Sequence, residues 1–261
     1  MSRQSMRCVV ASIIALGLVV GIAFKADAQA QLTLLSPNPI EATINKLTAD
    51  FEKKSGVHVN VTYGTGVSTR KDVAAGKAQD VSLLFSPFPE ALRTGNIIPN
   101  SATVIARMRL AIAVKKGAPK PDISTPDAVR RTLLNAKSIV SVDPEQGSVG
   151  TAVLLALDKL GLTEQLKPRI KWVPTGGVVQ DSVAKGEYEL AFGPYLSDMR
   201  NPGLDIVGAL SPAAAPPIDV TGFISTTTKN AEAGRALLAY LSSPEVAPVY
   251  HAAKMFAAAD K

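Results

Sequence analysis

The chain has 261 residues, of which 46% are hydrophobic, and this is enough apolar material for one domain or for two small lobes with buried cores. It carries 28 basic and 22 acidic residues, a net charge of +6, and its Lys and Arg residues form no run with interleaved aromatics. This distribution argues against nucleic-acid binding.

The first thirty residues have the order of a cleavable secretory signal. Arg3 and Arg7 precede an apolar run, 8–24, and the small residues that a signal peptidase requires follow within 26–30. A retained anchor is the alternative, because about 17 apolar residues is the lower limit for spanning a bilayer. Cys8 is too far forward to carry a lipid at the cleavage point. Cleavage after Ala30 leaves 25 basic and 21 acidic residues, a net charge of +4, and a cysteine-free protein that we expect in the periplasm.

The first half of the mature part alternates between strand and helix periodicity. Apolar residues at Ile40, Ile44, Leu47 and Phe51 predict an amphipathic helix that Gly56 ends. In chain order, the predicted elements are a strand at 31–35, this helix at 40–54, a strand at 57–61, a helix at 68–75, a strand at 81–85 and a long strand at 104–114 that crosses between lobes.

The second half continues the alternation. Thr125 and Pro126 are a cap and a first-turn residue typical of a helix start. The predicted elements are a helix at 125–134, a strand at 138–142, a helix at 149–160, a strand at 170–173, a helix at 178–184, strands at 190–192 and 219–225, a helix at 231–241, and a last helix opened by 243–245.

This order of elements predicts an α/β fold in which largely parallel sheets are flanked by helices. The linker-like stretches 115–122 and 211–217 bracket the middle of the chain. They favour a first lobe made of 31–112 plus 219–261, a second lobe made of 113–218, and two crossovers between them. A single doubly wound domain with Pro-rich surface loops is the alternative.

The sequence lacks the motifs of the common enzyme classes. HExxH, CxxC and GxSxG do not occur, and the glycine-containing stretch 64–71 has neither phosphate-loop nor dinucleotide spacing. The two histidines, His58 and His251, are far apart in the sequence. We therefore predict no cofactor, no metal and no enzymatic activity. An exported enzyme on a similar scaffold is the competing hypothesis.

Four loops rich in Gly, Ser, Thr and Asn each follow a strand and precede a helix, at 36–39, 64–68, 143–150 and 175–177. In a parallel sheet such loops lie at the carboxyl ends of strands, where ligands bind. Helix N-termini offer unpaired N–H groups and a partial positive charge, so several that converge make an anion site. The alternative is that these residues only cap their helices.

Three segments, 32–59, 143–162 and 178–198, resemble the periplasmic molybdate-binding proteins of ABC transporters, within the type II extracellular solute-binding proteins. The resemblance covers nearly the whole mature chain. It implies the two-lobed type II periplasmic binding protein fold with two hinge crossovers. It also implies a molybdate- or tungstate-like oxyanion held between the lobes, and an ABC permease in the inner membrane as partner. We expect a monomer.

The resemblance also implies positions for the ligand donors. The family's second-lobe amide donors fall on Val149 and Gly176, its two serines fall near Pro39 and Gly66, and its tyrosine falls on Pro194 or the next residue. The candidate ligand-binding residues are Ser36, Asn38, Thr65, Gly66, Ser68, Ser148, Val149, Gly176, Gly177 and Tyr195. Because the side-chain donors do not align cleanly, a small organic acid or another solute is a further alternative, as is a sensor that uses the same fold.

Overall fold

The structure, a computed structural model, describes residues 31–77, 79–196 and 201–260. The predicted signal segment, residues 1–30, lies outside the described residues and stays a prediction. The described part contains two β-sheets. Their strands are β1 (Gln31–Pro37), β2 (His58–Gly64), β3 (Val81–Phe85), β4 (Thr103–Met108), β5 (Leu110–Lys115), β6 (Ile139–Val142), β7 (Ile170–Val173), β8 (Leu190–Pro194), β9 (Leu204–Ala209), β10 (Ile218–Ile224) and β11 (Phe256–Ala257).

Helices pack on both sheets, and we call each sheet with its helices a lobe. The helices are α1 (Glu41–Ser55), α2 (Gly66–Ala74), α3 (Pro89–Leu92), α4 (Pro126–Asn135), α5 (Ser148–Lys159), α6 (Thr163–Leu166), α7 (Gly176–Lys185), α8 (Ala231–Leu241) and α9 (Ala247–Ala252), with 3-10 turns at Asn38–Ile40 and Pro244–Val246. Within the described ranges, no helix is long and apolar enough to cross a membrane.

The order of strands confirms the two-lobed α/β fold. The first sheet has the order β11-β4-β10-β3-β1-β2, and the second has the order β7-β6-β8-β5-β9. The chain leaves the first sheet between β4 and β5 and returns to it between β9 and β10. The predicted long strand at 104–114 is therefore two strands in different sheets. They are joined at Arg109, between the fully buried Met108 and Leu110.

Each sheet is mixed rather than uniformly parallel. β1 pairs in parallel with β2 and β3, and β6 pairs in parallel with β7 and β8. The strands that arrive from the other lobe, β5 and β10, run antiparallel to their neighbours. They enter directly rather than through a helical crossover, and it is the helical crossover that makes successive strands parallel. The strand-to-helix loops that form the site all follow strands of the parallel parts.

Local sequence signals account for the helix ends. α1 ends where Gly56 adopts a left-handed conformation with φ of 72°, which glycine reaches without steric cost. α4 begins where the Thr125 hydroxyl accepts a hydrogen bond from the Ala128 amide at 3.1 Å. The short elements α3, α6, β9 and β11 are not anticipated by the sequence, because pairing and packing with distant segments define them rather than periodicity.

The Asp80 carboxylate joins three segments of the first lobe. It accepts hydrogen bonds from the amide and the hydroxyl of Thr33, both at 2.8 Å, and from the hydroxyl of Thr228. The Asn230 side chain approaches it at 3.5 Å. Burial alone would raise the pKa of Asp80, but these hydrogen bonds outweigh burial and hold the pKa below its ordinary value.

We expect Asp80→Asn to lower the free energy of unfolding by about 1–3 kcal/mol, because its amide nitrogen meets hydrogen-bond donors. A group whose pKa is lower in the folded state stabilises the fold above its unfolded pKa and loses that effect as pH falls through the folded pKa. The difference between the two proteins in urea denaturation is therefore expected at neutral pH and should shrink below about pH 4. The control is Asp50→Asn, at an exposed carboxylate 3.5 Å from Lys53, which is expected to change stability little. Equal stability of the Asp80 variant and the wild type at pH 7 would contradict the assignment.

Candidate functional site

A cavity of about 290 Å³ lies between the two lobes, at the carboxyl ends of the parallel strands. In the first lobe these ends belong to β1, β2 and β3, and in the second lobe to β6, β7 and β8. The lining residues are Asn38, Pro39, Thr65, Gly66 and Phe85 from the first lobe, and Val142, Gln146, Gly147, Ser148, Val149, Pro174, Thr175, Gly176, Gly177, Val179, Gln180, Phe192, Gly193, Pro194 and Leu196 from the second.

In the first lobe, α2 points its N-terminus into this cavity. Thr65 caps the helix, and its hydroxyl accepts a hydrogen bond from the Ser68 amide at 3.0 Å. The Ser68 hydroxyl donates to the Thr65 carbonyl at 3.1 Å, so Ser68 serves the cap rather than the cavity. Asn38 is exposed in the 3-10 turn that follows β1 and contributes a side-chain amide to the cavity wall.

In the second lobe, the loop between β6 and α5 is shaped by Asp143. Its carboxylate accepts a hydrogen bond from the Glu145 amide at 2.9 Å, and its carbonyl accepts from the Gly147 amide at 2.9 Å. The Asp143 carboxylate is therefore a turn former. The turn directs the first residues of α5, Ser148 and Val149, toward the cavity.

The N-terminus of α7 forms the other second-lobe wall. Thr175 caps this helix through a hydrogen bond from the Val178 amide at 3.4 Å. Gly176 and Gly177 are exposed at the first turn, and a Cβ atom on Gly176 would meet no atom within 4 Å. The unpaired amides of this turn are therefore accessible from the cavity.

The structure brings together seven of the ten predicted ligand-binding residues. The residues that line the cavity are Asn38, Thr65, Gly66, Ser148, Val149, Gly176 and Gly177. Ser36, Ser68 and Tyr195 do not line it. Ser36 is fully buried beneath the surface, and Tyr195 lies with its ring 5.9 Å from the Lys254 ammonium group.

Residues 32–253 match the family described as bacterial extracellular solute-binding protein. The chain belongs to this family. It is 32% identical over 224 residues to the aconitate isomerase of a Pseudomonas species, a match that covers 83% of this chain and 84% of that protein.

Solved structures with the same fold belong to proteins that are named after different ligands. The periplasmic molybdate-binding protein of Azotobacter vinelandii superposes with a TM-score of 0.64 at 19% identity, over 86% of this chain and 98% of that one. The sulfate-binding protein of Mycobacterium tuberculosis superposes with a TM-score of 0.65 at 16% identity, over 87% and 86%. At this identity the likeness establishes the fold of the solute-binding protein and leaves its ligand open.

The cavity of this solute-binding protein has an apolar wall, of which the sequence-based prediction included Val149 alone, as an amide donor. Its apolar lining residues are Pro39, Phe85, Val142, Val149, Pro174, Val179, Phe192, Pro194 and Leu196. Phe85 and Phe192 lie in strands that read as core segments, so their sequence context carries no signal of a ligand wall. Gln146 and Gln180 were also missed, because polar residues after a strand or on a helix usually face solvent.

The described lining residues include no charged side chain, so the polar part of the wall consists of amides and hydroxyls. Two serine hydroxyls among the predicted ligand donors, those of Ser36 and Ser148, are buried and make no hydrogen bond with the described residues. Ser148 is only 2% exposed. A buried donor without a partner is costly, and a ligand acceptor would remove that cost at Ser148, which lines the cavity.

The two histidines, which could act in catalysis or metal binding, each contact a carboxylate outside the cavity. The His58 ring lies 2.9 Å from a Glu52 oxygen, and the His251 ring lies 2.9 Å from an Asp260 oxygen. The hydrogen bond from His251 lowers the pKa of Asp260. Across the described ranges, no three His, Cys, Asp or Glu side chains come together to hold a metal ion.

Proposed function

We propose that this solute-binding protein is exported to the periplasm and captures a small organic anion with more than one carboxylate for an ABC importer. The main support for the proposal is the composition of the cavity wall, which combines helix N-termini with a large apolar surface. The N-termini of α5 and α7 supply amide donors for carboxylate oxygens, and the apolar residues contact the carbon skeleton.

The size and polarity of the cavity favour an organic acid over a metal oxyanion. Its volume of about 290 Å³ is close to the lower end of small-molecule sites, about 300–1,000 Å³. A tetrahedral oxyanion such as molybdate or tungstate has no carbon skeleton to place against Phe85, Phe192 and Val179. The name of the 32% identical relative, aconitate isomerase, points in the same direction, because aconitate is a tricarboxylate.

We expect cis-aconitate, trans-aconitate or a related di- or tricarboxylate to raise the melting temperature and to give a saturable calorimetric titration. A ligand present at 100 times its dissociation constant stabilises the folded state by about 2.7 kcal/mol. Molybdate, tungstate, sulfate and phosphate are the matched inorganic anions. Stabilisation by one of these and by none of the carboxylates would overturn the organic-acid assignment and restore the oxyanion.

Isomerisation of such an acid is the second candidate function, and the relative's name is the observation that favours it. Moving a double bond along an acid requires a group that removes a proton and returns it. The described lining offers Thr65, Ser148, Thr175 and side-chain amides, which at neutral pH are hydrogen-bonding groups rather than bases. These groups favour binding without conversion. Incubation with cis-aconitate, followed by chromatographic separation of the isomers, distinguishes the two functions, since any protein-dependent conversion makes the chain an enzyme.

The partner in this proposal is a permease that receives the ligand from the closed protein, which acts as a monomer. A sensor that passes the same closure to a membrane receptor is the alternative partner. Ligand-dependent stimulation of the cognate transporter's ATPase in proteoliposomes supports transport, whereas stimulation of a receptor alone supports sensing.

A further inference from the structure

The two lobes come close together beside the cavity, at the first turns of α2 and α5. Gly66 is the first residue of α2 and Ser148 is the first residue of α5. A Cβ atom built on Gly66 would lie 3.0 Å from the Ser148 Cβ, still closer to the Ser148 hydroxyl, and 3.3 Å from the Phe85 ring. A side chain at residue 66 would therefore require the Ser148 hydroxyl to rotate away and the Ser148 Cβ and the Phe85 ring to shift, whereas glycine fits without such changes.

We infer that the contact between Gly66 and Ser148 is the stop that limits closure of the lobes, and that Gly66 thereby determines which anions the cleft holds. The inference rests on the proposed function, because it assigns a role in ligand selection to the same cleft. A larger residue at position 66 would wedge α2 away from α5. The ligand's donors on the two lobes would then move apart.

The partial charges of the two helix ends make the closeness of this contact depend on a bound ligand. Both helices present their N-termini, and both termini carry a partial positive charge, so their approach is unfavourable on its own. Approach also buries the Ser148 hydroxyl without a hydrogen-bond partner. An anion beside the contact offsets both costs, because it attracts both helix ends and can accept from the hydroxyl. Closure is therefore coupled to anion binding through this point.

Cysteine cross-linking tests the contact without requiring a known ligand. In a Cys8→Ser background, the pair Gly66→Cys and Ser148→Cys should form a disulfide under mild oxidation, because the separation is within a small relaxation of the 3.5–4.5 Å between the Cβ atoms of disulfides. The control pair is Gly66→Cys with Gly177→Cys. It also places two cysteines in the cleft, but nothing except Thr175 lies within 4 Å of the Gly177 Cβ position. Cross-linking no faster than in the control pair overturns the inference.

A double-mutant cycle then tests the role in binding, with tricarballylate, a saturated tricarboxylate, as the probe. Gly66→Ala should weaken tricarballylate binding tenfold or more in the wild-type background and less than threefold in a Ser148→Gly background, where the obstructing Oγ and Cβ atoms are removed. Equal weakening in both backgrounds, or no weakening in either, overturns the inference. If tricarballylate does not bind the wild type, the proposed ligand class is in error, while the cross-linking result still decides whether the contact exists.

Discussion

Replacement of Gly176 by proline is expected to weaken binding of the best organic acid of the ligand screen about 10- to 100-fold while leaving the fold intact. The substitution removes one amide donor at the start of α7, and hydrogen bonds to charged groups contribute about 1.5–3 kcal/mol each. Proline is tolerated at the first position of a helix, where the N–H has no partner within the helix. The preceding residue, Thr175, has φ of −139° and ψ of 156°, an extended conformation that suits a residue before proline.

The matched control is Gly176→Ala, which keeps the amide. A Cβ atom at this position meets no atom within 4 Å, so alanine should bind the ligand as the wild type does. Isothermal titration calorimetry measures affinity, and circular dichroism with thermal melting checks the fold of both variants. Wild-type affinity in the proline variant would show that the α7 N-terminus does not hold the ligand. Equal weakening in both variants would assign the loss to the missing glycine rather than to the missing N–H.

Replacement of Gly150 by alanine is expected to produce a large loss of stability. A Cβ atom there would lie 2.7 Å from the Asp143 carbonyl carbon and closer still to the Val142 oxygen and the Pro144 nitrogen. These are backbone atoms, which cannot rotate away, so α5 and its preceding loop must separate. We expect a loss of about 3 kcal/mol, at the upper end of ordinary overpacking, and a melting temperature lower by about 6–12 °C.

Gly150→Ala should also weaken ligand binding, because the same loop places Ser148 and Val149 at the cavity. The control is Gly177→Ala, also in the first turn of a site helix, where the nearest atom would be the Thr175 hydroxyl oxygen at 3.8 Å. That change is expected to leave the melting temperature unchanged or to raise it slightly, since alanine favours helix over glycine. A melting temperature for Gly150→Ala equal to that of the control would contradict the close packing of α5 on its loop.

These predictions concern different properties of one set of helix starts. In the proposed function α7 contributes donors to the ligand, while α5 depends on a glycine for its approach to β6 and α2 on a glycine for its approach to α5. Each substitution is expected to change one of these properties, whereas its control variant is expected to leave the helix and its position unchanged. The combined results would therefore separate loss of affinity through missing donors from loss through a displaced helix.

Much of the fold could be predicted from the sequence because the relevant signals are local. α8 occupies the predicted 231–241, β7 occupies the predicted 170–173, and the start of α4 follows from its threonine cap and proline. A helix cap, a glycine at a helix C-terminus and a periodic apolar pattern each involve only neighbouring residues, so they can be recognised directly in the sequence. The strands β9 and β11 have no such signal, because β9 exists through pairing with β5 and β11 through pairing with β4.

The candidate site, too, could be predicted only in part from the sequence. By itself the sequence determined that helix starts rich in Gly, Ser and Thr follow the parallel strands, and these positions include Thr65, Ser148 and Gly176. The direction in which each side chain points was decided only by the tertiary structure. Ser36 is turned into the interior, Ser68 is used by the α2 cap, and Phe85 and Phe192 form an apolar wall although they read as core residues. The contact between Gly66 and Ser148 joins residues that are distant in the chain, and such a contact depends on how two lobes pack together rather than on any local preference.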